Sequence, residues 1–259
     1  MFLLVLLAIF AILAGAAFYV LWLPALRVNA IEVQGTEQEG VQEVAMQAIA
    51  GLHWYGVPRN SIFVLPESDM RARVMHAYPD ISAVSIKPKA LDAITIRVTS
   101  RAPAFMWCGT SIDVPPVDGA CFDADAEGLV FALADPAETE ASSSLRIFAP
   151  LDRDTGESPI SAHVVATKQI PDALRFVKAM RSLGAPVSAL SIQGDEADLY
   201  LQGPTKIRYV LGHEAEAAQL AASAFPTLNL TDGSIDYIDL RFIGSMNTPG
   251  KAYVKRFGE

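Results

Sequence analysis

The first 26 residues of the chain contain no charged side chain and no histidine. A helix over residues 2–23 would be about 33 Å long at about 1.5 Å per residue, and the hydrocarbon core of a bilayer is about 30 Å thick. The segment therefore predicts a transmembrane anchor over residues 1–26. The alternative is a cleaved secretory signal, because Ala14, Gly15 and Ala16 place small residues within the apolar run, although a basic n-region is absent.

Basic residues are also missing ahead of this apolar run, and the first one in the chain is Arg27. Positive residues beside a span normally mark its cytoplasmic end, so charge alone does not orient this segment. Large domains are translocated largely regardless of their charge. The orientation therefore has to come from other features of the chain.

Cysteine is scarce, since the 259 residues include only Cys108 and Cys121. Two cysteines alone cannot hold a structural zinc ion, and no pair of histidines stands near them. Cys108 follows a predicted aromatic strand and Cys121 begins the next one, which predicts a disulfide that closes the loop over residues 109–120. Such a bond requires an oxidising compartment. Two buried free thiols are the alternative.

Sequence motifs for common catalytic and nucleotide-binding sites are absent. The chain has no G-x-S-x-G, no P-loop and no G-x-G-x-x-G sequence. His213 and Glu214 begin like a zinc-protease motif, but Ala217 occupies the position of the second histidine. We interpret them as the acidic first turn of a helix. We therefore expect no enzyme activity, no cofactor and no small-molecule substrate.

Acidic residues occur in two groups that could suggest a metal site. Residues 123–128 resemble the start of a calcium loop, with glycine in sixth place, but Ala134 stands where a bidentate glutamate is required. We interpret this segment as a hairpin turn. Asp232, Asp236 and Asp239 are close in sequence, and strand alternation predicts that they are solvated or turn residues. We expect no metal site.

What the chain does contain is an excess of acidic residues, with a formal net charge of −9 that lies entirely after the anchor. This balance argues against binding nucleic acid and against contact with anionic lipid over a broad surface. About 230 residues follow the anchor, which is enough for one or two domains with their own cores.

Strand and helix patterns alternate in residues 27–100, which form the first predicted domain. The predicted elements are, in order, a strand at 28–34, helices from 37 and at 67–78, and strands around 84–86 and 94–98. Strand, helix, helix, strand, strand within about 75 residues is the order of a POTRA domain.

Sequence motifs sharpen this assignment. They read I-E-V-Q-G at residues 31–35, Y-P-D-I-S-A-V-S-I at 78–86, I-T-I-R-V at 94–98, R-A-P at 101–103 and Y-I-D-L-R-F at 237–242. In this order after a single apolar span, the motifs resemble the FtsQ/DivIB family of bacterial cell-division proteins. Ser100 stands where the family usually has a glutamate ahead of the arginine.

The resemblance implies a non-enzymatic scaffold that crosses the cell membrane once, with its large C-terminal portion outside the cytoplasm at the division septum. Its expected partners are FtsB and FtsL, and the complex would regulate septal cell-wall synthesis. The alternative is a POTRA protein for polypeptide secretion or transport. Such proteins normally continue into a β-barrel, and no long series of alternating ten-residue strands follows here.

Residues 101–259 form the second predicted domain, a mixed antiparallel β domain with flanking helices, so that the chain as a whole is predicted to be α+β. Paired strands begin at Phe105, and helices are predicted over residues 171–183 and 213–225. The remaining predicted features are surface loops at 137–144 and 152–161 and a terminal hairpin of residues 235–242 and 251–257.

The last strand, with only two residues after it, is predicted to lie at a sheet edge, where unpaired backbone groups can accept an added strand. Alternation places Tyr253, Lys255 and Phe257 on one face. In the FtsQ/DivIB family, FtsB adds a strand beside this hairpin, and Arg241 and Phe242 correspond to partner-contact positions. The predicted partner-binding residues are Arg241, Phe242, Lys251, Tyr253 and Lys255. Alternatively, the basic residues only protect the edge against aggregation.

Overall fold

The structure is a computed structural model that describes residues 2–35, 40–53, 56–114, 119–135, 145–153, 158–244 and 250–258. The predicted loop at 137–144 lies outside the described residues, and the one at 152–161 is described only at its two ends. The chain divides into two units, Met1–Arg101 and Ala102–Glu259. Helices and sheets both contribute, which confirms the α+β class.

The first helix, α1, covers Phe2–Trp22 and buries none of its side chains within the protein. It is long and apolar enough to cross a membrane. A short 3-10 helix, Pro24–Leu26, follows it. The Arg27 side chain then turns back toward α1, because its Nη2 donates to the carbonyl oxygen of Trp22 at 2.9 Å and its guanidinium lies 5.1 Å from the centroid of the Trp22 ring.

A three-stranded sheet and two helices form the main part of the first unit that the structure describes after Arg27. The elements are β1 (Ala30–Gln34), α2 (Val41–Ala48), α3 (Glu67–Ala77), β2 (Ile81–Ala90) and β3 (Ala93–Ser100). β3 is central, parallel to β1 and antiparallel to β2. Gly35 closes β1 at a φ of 96°, and a Cβ there would lie 2.3 Å from the carbonyl oxygen of Val98, so the turn requires glycine.

Alternation along β3 decides which face of this sheet is buried. Ile94 and Ile96 are fully buried and share a core with Met70 of α3. Thr95 and Arg97 therefore lie on the opposite face of the sheet. The helices cover one face, and the other carries the polar side chains.

A nine-stranded sheet forms the frame of the second unit, with the order β12-β11-β10-β9-β8-β7-β4-β5-β6 in the described part of the chain. Its strands are β4 (Phe105–Trp107), β5 (Phe122–Ala124), β6 (Val130–Leu133), β7 (Arg146–Phe148), β8 (Val187–Gln193), β9 (Glu196–Leu201), β10 (Lys206–Val210), β11 (Ile235–Phe242) and β12 (Lys251–Arg256). The α-helices among its described residues are α4 (Ile170–Ser182) and α5 (Glu214–Ala224).

Parallel and antiparallel neighbours are mixed in this sheet. The pairs β4–β7, β7–β8 and β10–β11 are parallel, and the other neighbours are antiparallel. Parallel neighbours need a crossover connection. α4 provides it between β7 and β8, and α5 provides it between β10 and β11.

Both helices contribute to a single large core on one face of the sheet. Phe176 of α4 packs against Tyr209 of β10 with ring centroids 4.4 Å apart. On the other face, a disulfide joins Cys108 after β4 to Cys121 before β5, and it is buried beside Met106 and Phe148. The bond closes the loop of residues 109–120 across the β4–β5 pair.

Candidate partner-binding edge

The terminal hairpin occupies one outer edge of the nine-stranded sheet. β12 pairs antiparallel with β11 and has no second strand beside it in the part of the chain that the structure describes. Its outward backbone N–H and C=O groups therefore form an edge to which another strand can add. α5 contacts both β11 and β12 and supports the hairpin from the core side.

Two aromatic side chains lie together on this hairpin. The rings of Phe242 and Tyr253 meet edge to face, with 4.7 Å between their centroids. They are 51% and 50% exposed, although each would bury a large apolar area in a core. The register of β11 and β12 shifts between Asp239 and Phe242, and a bulge of this kind re-aims the side chains that follow it.

Two lysines flank the aromatic pair. Lys251 is exposed and lies opposite Phe242 in the register of the two strands. The Nζ of Lys255 lies 3.3 Å from a carboxylate oxygen of Asp236 and 5.6 Å from the centroid of the Tyr237 ring. The ring and the carboxylate together hold one cation above the sheet next to the edge.

Arg241 is directed along the sheet face rather than outward from the edge. Its Nε and Nη2 donate to the carboxylate of Asp239 at 3.0 and 2.7 Å, and its Nη1 donates to Glu196 of β9 at 2.5 Å. The side chain is 29% exposed. Arg241 therefore ties β11 to β9 and holds the strand beneath the exposed aromatic pair.

Asp239 is 4% exposed, so the prediction that it is solvated was wrong. Arg208 stands opposite it on β10 and Arg241 folds over it, and these two long side chains exclude water from its carboxylate. Burial opposes ionisation, but the hydrogen bonds from Arg241 outweigh it and hold the pKa of Asp239 below its usual range. The same hydrogen bonds raise the pKa of Arg241.

The charged ladder continues across the sheet away from the edge. Arg208 donates to both oxygens of Asp198 on β9, at 2.7 and 2.9 Å. Asp198, Arg208, Asp239 and Arg241 thus alternate in sign across three strands. The positive and negative charges on this face therefore neutralise one another. The exposed lysines and aromatic rings at the edge remain as the groups available to a partner.

Three further residues of the edge were misinterpreted from the sequence or missed. Asp236 was predicted to be solvated or in a turn, and it pairs with Lys255. Tyr237 was not predicted to contribute, although its spacing from Asp239 and Arg241 on β11 shows that all three share one face. Phe257 was predicted to belong to the last strand, but β12 ends at Arg256, and Phe257 is an exposed turn residue.

The other acidic segments noted in the sequence have turn geometry. Asp125 Oδ1 accepts hydrogen bonds from the backbone N–H groups of Glu127 and Leu129 at 3.0 and 2.8 Å, which confirms the hairpin turn. Asp232 Oδ1 accepts one from Ser234 at 2.9 Å. Among the described residues, no group of three or more His, Cys, Asp or Glu side chains is placed to hold a metal ion.

The chain matches no protein-family model, and a search of curated proteins found no significant match. The sequence motifs and the geometry of the chain are therefore the features that bear on its function.

Proposed function

We propose that this protein is a non-enzymatic, single-span membrane scaffold of the FtsQ/DivIB type that acts in bacterial cell division. The motifs at 31–35, 78–86, 94–98 and 237–242 support this assignment by their order along the chain. α1 is the anchor in this proposal, and residues from Arg27 onward lie outside the cytoplasm at the septum.

The first unit supports the proposal through its connectivity. Its described elements follow the order strand, helix, helix, strand, strand, with the last strand between the other two in the sheet. This is the order expected for the POTRA domain that follows the membrane anchor in the family.

The proposed role in binding rests on one observation, the open edge of β12. The exposed Phe242–Tyr253 pair lies beside it, with Lys251 and Lys255 on the same hairpin. A strand from an FtsB- or FtsL-like protein would pair with the backbone of β12 and cover the two rings. The lysines favour acidic side chains on that strand, in a second unit that is otherwise strongly acidic.

Protection of the edge against aggregation is the competing explanation for the lysines. It explains Lys251 and Lys255, but it does not explain two half-exposed aromatic rings in contact with each other. Exposed aromatic pairs increase the tendency of an edge to associate, and anchors of this type dominate the binding energy of many interfaces.

Affinity measurements on variants of the two sheet edges test the proposal. We expect Phe242→Ala or Lys255→Glu to weaken binding of an FtsB-like partner at least tenfold, about 1.4 kcal/mol. Leu133→Ala is the matched control, because Leu133 is a 61% exposed apolar residue on β6, at the other edge of the same sheet. Unchanged affinity in both hairpin variants, with folding verified by circular dichroism, would place the interface elsewhere.

Topology and location have their own tests. Protease added to intact spheroplasts should digest both units, and full protection would contradict the proposed orientation. A fluorescent fusion should concentrate at mid-cell before constriction. A uniform distribution around the envelope would favour the secretion or transport alternative.

A further inference from the structure

The first unit is held very close to the end of its membrane helix. α1 ends at Trp22, and the carbonyl oxygen of Leu26 already accepts a hydrogen bond from the backbone N–H of Ile62 at 2.9 Å. Arg27 bridges to Ser61, continuing the same pairing. Three residues lie between Trp22 and Leu26, and an extended chain spans at most about 3.5 Å per residue, so this end of the unit stays within about 14 Å of the helix end.

Backbone hydrogen bonds show which segments of the first unit lie at its end near α1. Asn29 donates its backbone N–H to the carbonyl oxygen of Asp92 at 2.9 Å, and Ala30 is in register with Ala93. The turn between β2 and β3 therefore lies at the same end of the sheet as the start of β1. The segment that contains Ile62 joins this end through its bond to Leu26.

Each of these two segments exposes one large apolar side chain. Phe63 follows Ile62 and is 62% exposed, and Leu91 at the tip of the β2–β3 turn is 63% exposed. No element in the described part of the first unit covers either side chain. A phenyl ring and a branched aliphatic chain held within a short tether of a bilayer are the kinds of groups that bury their apolar surface in its interfacial layer.

The charged residues at this end of the first unit also favour contact with a bilayer surface. Lys87 and Lys89 lie on β2 just before the turn, on the face of the sheet opposite the core, beside an open cleft of about 310 Å³ that also includes Arg97. Lys89 pairs with Glu32 on β1, whereas Lys87 is exposed and makes no ion pair with any residue the structure describes. Arg27 and the two lysines outnumber the two acidic residues at this end, Glu32 on β1 and Asp92 in the turn.

The distribution of charge between the units is consistent with this assignment. Residues 27–101 contain eight basic and eight acidic residues, whereas residues 102–259 contain twelve basic and twenty-one acidic residues. The net charge of −9 therefore belongs to the second unit. An anionic surface would repel the second unit but not the first, whose lysines lie near the anchor.

We infer that the first unit docks on the surface of the bilayer that α1 crosses, with Phe63 and Leu91 inserted among the lipids and Lys87 and Lys89 at anionic phospholipid headgroups. This contact is separate from the β12 edge and rests only on α1 spanning the membrane. It would fix the orientation of the first unit on the membrane, so that the unit does not swing freely about Pro24–Leu26.

The test uses the full chain in lipid nanodiscs with about one third phosphatidylglycerol, a composition that supplies the anionic surface. A bimane fluorophore on Leu91→Cys reports lipid contact through quenching by brominated phospholipids, and the native cysteines are already joined in a buried disulfide. Met75→Cys is the matched control, because Met75 is an exposed apolar residue near the end of α3. From α3 the chain enters β2 at the end of the sheet opposite the β2–β3 turn that carries Leu91.

We expect quenching at position 91 to exceed that at position 75 by about twofold or more, as for a side chain at the interfacial layer. Equal quenching at the two positions would overturn the docking. Failure of the chain to enter nanodiscs would instead contradict the membrane span itself, so the two failures are distinguishable.

A second arm tests the charged part of the inference. Lys87→Glu with Lys89→Glu should bring the quenching at position 91 down toward the control value in anionic nanodiscs. The reason is that each basic residue near an anionic surface changes the binding constant for that surface by roughly fivefold. Lys178→Glu, on the exposed side of α4 in the second unit, should change nothing. Unchanged quenching in the double variant would overturn the role of the anionic headgroups.

Discussion

At one outer edge of the nine-stranded sheet, the first residue of β6, Val130, is paired with a neighbouring segment of its own chain. Ser161 donates its N–H to the carbonyl oxygen of Val130 at 2.7 Å, and Val130 donates to Ala162 at 2.9 Å. At the other edge, β12 has only β11 beside it among the described residues. An irregular segment thus covers the start of β6 at one edge, whereas the described part of the other edge lies open next to exposed aromatic rings, which is why we propose binding at β12.

The surroundings of the two edges differ as well. On the face of the sheet opposite α4 and α5, a disulfide joins the ends of β4 and β5, close to the β6 side of the sheet. On the β12 side, the same face is held by ion pairs between Arg241, Asp239 and Glu196. One half of the sheet is therefore stabilised by a covalent bond and the other by charges, and mutations can separate the two contributions.

The largest expected effect is on the β6 side. Replacing both cysteines, Cys108→Ala with Cys121→Ala, should lower the free energy of unfolding by about 3 kcal/mol, because the unfolded chain loses a loop constraint of this length. Urea unfolding followed by near-UV circular dichroism measures it. Partner affinity at β12 should not change, and a large loss of binding in folded protein would show that the two edges are coupled.

On the β12 side, Asp239→Asn should lower the free energy of unfolding by about 2 kcal/mol at pH 7, because it leaves Arg241 partly buried with only Glu196 as an anionic partner. Asp195→Asn is the control, since Asp195 is an exposed carboxylate in the turn between β8 and β9. An effect of the same size in the control would mean that net charge, and not this ion pair, is responsible.

The same pair predicts a pH dependence. Since the folded pKa of Asp239 is below its usual value, its contribution to stability is present above about pH 4, the unfolded pKa, and is lost as the pH falls through the folded value. The difference in stability between the native protein and Asp239→Asn should therefore shrink as the pH falls below about 4. A difference that stays constant down to pH 2 would contradict the assignment of the shift to Asp239.

Between the two edges, Tyr209 on β10 provides a neutral reference. Its ring is fully buried against Phe176, and its hydroxyl has no hydrogen-bond partner among the described residues. Tyr209→Phe should therefore be neutral or stabilising by up to about 1 kcal/mol. A loss of more than about 1 kcal/mol in thermal or urea unfolding would indicate that the hydroxyl is satisfied by water.

The smallest effect concerns the ring beneath the edge lysine. Tyr237→Leu removes the aromatic face under Lys255 but keeps an apolar side chain on β11. It should lower the free energy of unfolding by about 0.5 kcal/mol, a small amount because this contact is exposed. The partner affinity should fall less than in Lys255→Glu, since the lysine keeps its pair with Asp236. An equal or larger fall would make the tyrosine itself a contact residue.

Local sequence determined the parts of this protein that depend on periodicity and composition. The uncharged run predicts α1, and the alternation in residues 94–98 predicts β3. The helical spacing in 171–183 and 213–225 predicts α4 and α5 to within two residues at each end. These elements follow from local spacing because an apolar stripe must face a core or a membrane wherever it is placed.

Only the tertiary structure decided which strands become neighbours and which side chains lose contact with water. Asp239 has the spacing of a solvated strand residue, yet Arg208 from a neighbouring strand and Arg241 from its own strand enclose it. The pairing of Val130, at the start of β6, with residues 161 and 162, about thirty positions further along the chain, has no local sequence signal. Both depend on contacts between segments that are distant in sequence, and propensity and periodicity do not encode such contacts.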